Sequence, residues 1–146
     1  MSRHIYLIVL KFVPVRVRNP RTTRLVALCR ALADRTRLRI LNLLGPNEVC
    51  VCFLVEVIGG PQARISRHLA YLRRAGIVSA RRLGKWMQYR VVEPPEEPLA
   101  GLFRAVRDSL ATDPELQRDQ QRLERLCCAS RAPIQILRAP KPARVA

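Results

Sequence analysis

Pro61-Gln62-Ala63-Arg64-Ile65-Ser66-Arg67-His68-Leu69 is the stretch on which the fold turns. Ile65, Leu69 and Leu72 recur at i, i+4 and i+7, one apolar stripe of a helix, while Ala63, Ser66, Arg67 and Ala70 face the other way. A small, polar, basic outer face suits a nucleic-acid groove. Gly59-Gly60 supplies a turn before the helix, and Pro61 suits its first position because the missing N–H would have had no intrahelical partner. Gly59-Gly60 thus separates this helix from the apolar segment 49–58, the arrangement of a helix-turn-helix.

Working upstream, segment 49–58 reads as the supporting helix, with Val51, Leu54, Val55 and Ile58 as its buried stripe. Before it, Asp34 is placed as the N-cap of a helix carrying Leu38, Leu41 and Leu44, which Gly45-Pro46 ends. Leu25, Leu28, Cys29 and Leu32 form an earlier helical stripe, with Cys29 as a small buried hydrophobe. Downstream, 77–82 and 85–92 flank Leu83-Gly84 as a two-stranded hairpin. The fold class expected is therefore mainly α, a winged helix-turn-helix with a two-stranded β-hairpin wing and terminal dimerisation helices. The stripe of 99–110 (Leu99, Leu102, Phe103, Val106, Leu110), with that of Leu25 to Leu32, offers more apolar surface than a small winged helix covers. A homodimer is the expected outlet, and two-fold symmetry then implies paired half-sites. Asp113 and Pro114 start a last helix that runs to Cys127 and Cys128. The organisation expected is a basic, poorly ordered arm over 1–21, the winged domain over 22–111, a C-terminal helix with a cysteine pair over 112–130, and a basic disordered tail over 131–146.

The 146 residues carry a formal net charge of +16, with 49% hydrophobic residues, enough for a packed core without a disulfide scaffold. Such a balance favours a polyanionic partner. Arg64, Arg67, Arg73, Arg74, Arg81, Arg82, Lys85 and Arg90 all fall between Pro61 and Val92, a run without a single acid. The short apolar run near the start is too brief for an export signal, and no stretch approaches the roughly 20 apolar residues of a membrane span. The expectation is a cytoplasmic protein without a membrane partner, its five cysteines reduced and available for metal or redox chemistry.

Cys50 and Cys52 lie just upstream of the recognition helix, which couples soft-ligand chemistry to nucleic-acid binding. On a regular helix they would stand about 200° apart, on opposite shoulders of the buried stripe. One ion holding both would then distort the supporting helix and move the recognition helix. In an alternative geometry Cys127 and Cys128 reach Cys50 or Cys52, of the same or a partner subunit, to complete three thiolates. Soft thiolates select arsenite, antimonite, Cu(I) or Cd(II) over hard ions.

Leu32-Ala33-Asp34-Arg35-Thr36-Arg37-Leu38-Arg39-Ile40-Leu41, Glu48-Val49-Cys50-Val51-Cys52, Ser66-Arg67-His68-Leu69 and Gly84-Lys85-Trp86 together resemble the ArsR/SmtB repressors that respond to arsenic and zinc. The resemblance covers about residues 22–110. It implies a homodimeric repressor that binds double-stranded operator DNA, dimerises through its terminal helices and is weakened in DNA binding by its effector, here arsenite or antimonite as inducer. The sequence departs from the arsenic-sensing pattern at Val55, where that pattern has a third thiol, and at Phe53, where it has an acid. Segment 99–110 contains no histidine, unlike the last dimer helix of the zinc-sensing members.

For DNA, Gln62, Ser66, Arg67 and Arg64 are the candidate base readers, since Gln pairs with adenine and Arg with guanine. Arg73, Arg74, Arg81, Arg82 and Lys85 are assigned to phosphates or the minor groove. His68 is open to two readings, a phosphate donor or a packed, satisfied histidine. A repressor released by a thiophilic metalloid is the first reading, and a thiol redox or persulfide sensor of the same fold is the alternative. A thiol enzyme is disfavoured because Cys-x-x-Cys is absent and only His4 and His68 offer a base. A non-specific coat protein is disfavoured by the 5% aromatic content, too low for base stacking on single strands.

Overall fold

The computed structural model describes residues 19–45, 47–128, 133–134 and 136–142. The expected arm over 1–21 lies almost wholly outside them. Its last residues are helical, because Asn19 caps α1 (Pro20–Leu32) by accepting a 3.0 Å hydrogen bond from the Arg21 amide, with Pro20 at the first helical position. The first helix thus begins before residue 22. Asp34 caps α2 (Arg35–Leu44) through a 2.9 Å bond from the Arg37 amide, and Gly45 ends it at a φ of +48°.

The next element differs from the expectation of one helix over 49–58. Val49 and Cys50 form a short strand, β1 (Val49–Cys50), and only then does α3 (Val51–Ile58) begin. Val49 and Cys50 gain more by pairing with a distant strand than by adding half a turn to α3. The buried face of α3 is also shifted: Val51, Phe53, Leu54 and Val57 are buried, while Val55 and Ile58 are half-buried. Phe53 is a core residue, which accounts for an aromatic there rather than an acid.

Gly59 and Gly60 turn the chain at φ of +83° and +91°, a region other residues rarely adopt. Pro61 then sits at the N-cap of α4 (Gln62–Arg74), one position earlier than expected, which equally spares an N–H. Ile65, Leu69 and Leu72 are wholly buried and pin α4 onto α3 and α2. β2 (Val78–Leu83) and β3 (Trp86–Val91) form the wing, with Arg81 opposite Gln88 and Leu83 opposite Trp86. The sheet has three strands rather than the two expected, ordered β1-β3-β2, with Val49 opposite Tyr89 and Cys50 opposite Gln88.

α5 (Glu97–Ala111) buries Ala100 and Phe103 but leaves Leu102 exposed, and α1 leaves Leu25 and Val26 exposed. Cys29 is exposed too, against the expectation of burial, because α1 buries only the edge carrying Leu28 and Ala31. Asp113 starts α6 (Pro114–Cys128) by accepting from the Glu115 and Leu116 amides. α6 packs on α2 and α3. Arg39 grips the buried Asp119 carboxylate with bonds of 2.7 and 2.8 Å, and Asn42 donates to the Leu116 carbonyl at 3.0 Å. The paired guanidinium offsets the cost of taking Asp119 out of water and raises the pKa of Arg39. Of the segment 131–146, expected as a disordered tail, the described residues include Ile136 and Ala139, which are buried with the core, where their apolar side chains escape water.

Candidate nucleic-acid interface and thiol pair

Ile65, Leu69 and Leu72 fix the roll of α4, so Gln62, Arg64, Arg67, Arg73 and Arg74 are exposed and Ser66 and His68 half-buried. Arg64, Arg67, His68, Ala70, Tyr71 and Arg74, with Arg37 from α2, line an open groove of about 600 Å³. Both Arg37 and Tyr71 escaped the sequence reading. Tyr71 follows Arg64 by seven and Arg67 by four, so the helical period places it on the same face. Arg37 has no such signal, because its position depends on how α2 packs.

Tyr71 acts as a platform for two cations, with the Arg37 guanidinium 4.4 Å and that of Arg74 5.6 Å from the ring centroid. Arg37 also donates to the Ala31 and Arg30 carbonyls, both at 2.7 Å, and so secures the end of α1. His68 turns toward α2, its Nδ1 3.5 Å from Asp34 Oδ1. That contact supports the packed reading of His68, although the ring still borders the groove. Arg64 donates to the Gly59 carbonyl at 3.1 Å.

On the wing, Lys85 is exposed, its Nζ 5.0 Å from the Trp86 ring, and Arg82 donates to the Gly84 carbonyl at 2.9 Å. Arg81 is engaged: it binds the Glu48 carboxylate in a two-pronged ion pair, Nε to Oε1 at 2.9 Å. The pair holds the Glu48 carboxyl below the usual carboxylate range and raises the Arg81 pKa.

The thiols are where the structure departs furthest from helical reasoning. Because Cys50 has extended backbone (φ −66°, ψ 140°) and Cys52 is helical, the two are not spread across one helix face. Their sulfurs lie 2.6 Å apart, with Cys52 donating to Cys50. The separation of about 200° is overturned, and with it the need to distort α3 in order to bridge the pair. Cys50 is wholly buried and Cys52 half-buried. The hydrogen bond from Cys52 pulls the Cys50 pKa down to about 7 against the opposing effect of burial, and the Cys52 amide adds a smaller effect in the same direction. Cys52 is pushed up by holding the shared proton. Of the two, Cys50 is therefore the readier to ionise, while Cys52 keeps its proton.

Cys127 is half-buried against the core and Cys128 exposed, at the end of α6. Among the described residues, no group of three or more His, Cys, Asp or Glu lies close enough to hold a metal ion. Within one chain Cys127 and Cys128 therefore do not join Cys50 and Cys52 in a three-thiolate set. No helix among the described residues is long and apolar enough to cross a membrane.

The fold agrees with comparisons to known proteins. Residues 34–80 match the family described as "Bacterial regulatory protein, arsR family". The arsenic resistance transcriptional regulator ArsR1 of Pseudomonas putida is 42% identical over 91 residues, which cover 58% of this chain and 70% of that one. The chain belongs to the arsR family. Another arsR-type relative, the arsenical resistance operon repressor of Escherichia coli K12, is 46% identical over 67 residues, 45% of this chain. The match spans 57% of that repressor's length, little more than half. Among solved structures, the homodimeric winged helix-turn-helix DNA-binding domain of a possible ArsR-family regulator from Mycobacterium bovis is similar at a TM-score of 0.51 and 31% identity, covering 62% of this chain and 81% of that one. These relatives are transcriptional regulators rather than enzymes, and the Mycobacterium bovis domain shares the winged helix-turn-helix fold seen in this chain.

Proposed function

We propose that this arsR-family chain is a sequence-specific, homodimeric repressor, released from double-stranded operator DNA when a thiophilic metalloid, arsenite or antimonite, binds Cys50 and Cys52. The observation that carries the reading is the position of the thiol pair: α3 packs against α4, and β1 pairs with the wing strand β3. A change at the pair therefore reaches both DNA-facing elements through direct contact. The names of the arsenic-resistance relatives support the choice of metalloid.

In this reading Gln62, Arg64, Ser66 and Arg67 meet base edges, while Arg73, Arg74, Arg82 and Lys85 meet phosphates, with Arg37 added from the groove. His68 braces α4 against α2 through Asp34. Trivalent arsenic prefers sulfur donors, and the two touching sulfurs supply a matched pair. A third donor comes from outside this set, with Cys127 or Cys128 of a partner subunit as the candidate. The exposed Leu25, Val26 and Leu102 on α1 and α5 are the surface for dimerisation.

The sulfur contact also favours a second reading, a thiol redox or persulfide sensor, because an oxidant joins two sulfurs already in contact most readily. The two readings separate in one experiment. An operator duplex recovered by selection from a random pool is bound to the protein in reductant, and arsenite, a mild oxidant or a persulfide donor is added while anisotropy is followed. Release by arsenite that fails in the Cys50→Ser/Cys52→Ser double variant supports the metalloid reading; release by oxidant or persulfide alone supports the sensor. Retained release there and loss in Cys127→Ser/Cys128→Ser would move the site to α6.

A further inference from the structure

The run from Pro61 to Val92 is without acid, yet the folded wing is not. Glu48, just ahead of β1, reaches across the sheet to β2 and takes both prongs of Arg81. Arg90 on β3 adds a second positive charge near the same carboxylate, while its own Nε donates to Ser79 at 3.2 Å. The strand register explains the reach. Cys50 and Arg81 oppose Gln88 from its two sides, so residues just ahead of Cys50 lie beside the wing's basic face. The placement depends on β1, since a helix over 49–58 would have carried Glu48 away from the sheet.

We propose that Glu48 is the built-in counter-ion of the wing, a positioning residue that keeps Arg81 from phosphate and so limits how many phosphates the wing engages. The inference rests on the reading of this chain as a DNA-binding protein. A guanidinium whose two-pronged donors are already satisfied by a carboxylate gains little from a phosphate, because the new contact must first break the old one. A guanidinium without that partner releases one more counterion on binding DNA, which steepens the dependence of log K on log salt by about 0.9. With Glu48 in place the wing relies on Arg82 and Lys85, and non-specific affinity is held down. Glu48 immediately precedes the short strand that carries Cys50, so the counter-ion is held in place by the element that bears the thiol.

The test is binding of a mixed-sequence duplex by the full chain at several salt concentrations, for the wild type, Glu48→Gln, Glu48→Ala, the double variant Glu48→Gln/Arg81→Gln, and Glu124→Gln. Glu124, exposed on α6, makes the same change of net charge away from the wing. Glu48→Gln and Glu48→Ala should each bind more tightly, with a slope steeper by about 0.9, and the double variant should return to the wild-type slope. Glu124→Gln should keep the wild-type slope. The proposal is overturned if both Glu48 variants keep the wild-type slope, if the double variant stays steep, or if Glu124→Gln steepens as much as Glu48→Gln. A wild-type chain that binds duplex DNA without salt dependence contradicts the DNA reading itself, and this inference with it.

Discussion

The α4 groove and the thiol pair are neighbours built on opposite plans. The groove is open, positively charged and carried largely by one regular helix, whose buried stripe fixes which residues face outward. The thiol pair is closed in, joins two sulfurs by a hydrogen bond, and exists because the backbone changes from strand to helix between Cys50 and Cys52. One region works by exposure and electric field, the other by contact at a break in secondary structure. Substitutions should accordingly act by degrees in the groove and as a switch at the pair.

The largest effect should come from the stripe that supports the groove. Leu69→Ala removes a wholly buried side chain and should cost about 2–5 kcal/mol of stability, read as a lower urea midpoint. A loss under about 1 kcal/mol would mean that α4 is not held as described. Within the groove, Arg67→Ala should weaken operator binding by about 1–3 kcal/mol and relax sequence choice. Equal losses on operator and scrambled duplexes would instead make Arg67 a phosphate contact. Smaller still is Tyr71→Leu, which keeps bulk but removes the π-face under Arg37 and Arg74; a loss of about 0.5–1 kcal/mol in DNA binding is expected.

At the pair the expected effect is one of pH. Thiolate absorbance of the wild type should show a transition near pH 7, and Cys52→Ala should shift it upward by removing the donor. The sign follows from linkage: a Cys50 pKa lowered on folding contributes stability that is present above the unfolded value and lost as pH falls through about 7. Cys52, raised on folding, contributes in the opposite sense and retains its proton throughout this range. An unchanged transition in Cys52→Ala would show that the sulfurs do not share a proton.

The same contrast explains what could be read from the residues alone. The groove was legible because Ile65, Leu69 and Leu72 repeat with the helical period, and the roll of the helix then assigns Arg64 and Arg67 to the outside. The hairpin was legible from Leu83-Gly84 and its flanking runs. β1 was not, because Val49-Cys50-Val51 is a short apolar run that fits strand or helix equally, and its partner Tyr89 lies some forty residues away. Everything that depends on β1 was hidden with it: the sulfur contact, the third strand and the Glu48–Arg81 pair. The burial of Ile136 was obscured by a basic, proline-rich surrounding that resembles a disordered tail.

In the proposed function the thiol pair, and Cys50 in particular, governs DNA release. The most direct measurement is an arsenite titration of the operator-bound protein in reductant, wild type beside Cys50→Ser, with anisotropy as the readout. The wild type should release its DNA, while Cys50→Ser should bind equally well and stay bound. Release from Cys50→Ser at the same arsenite concentration would contradict it.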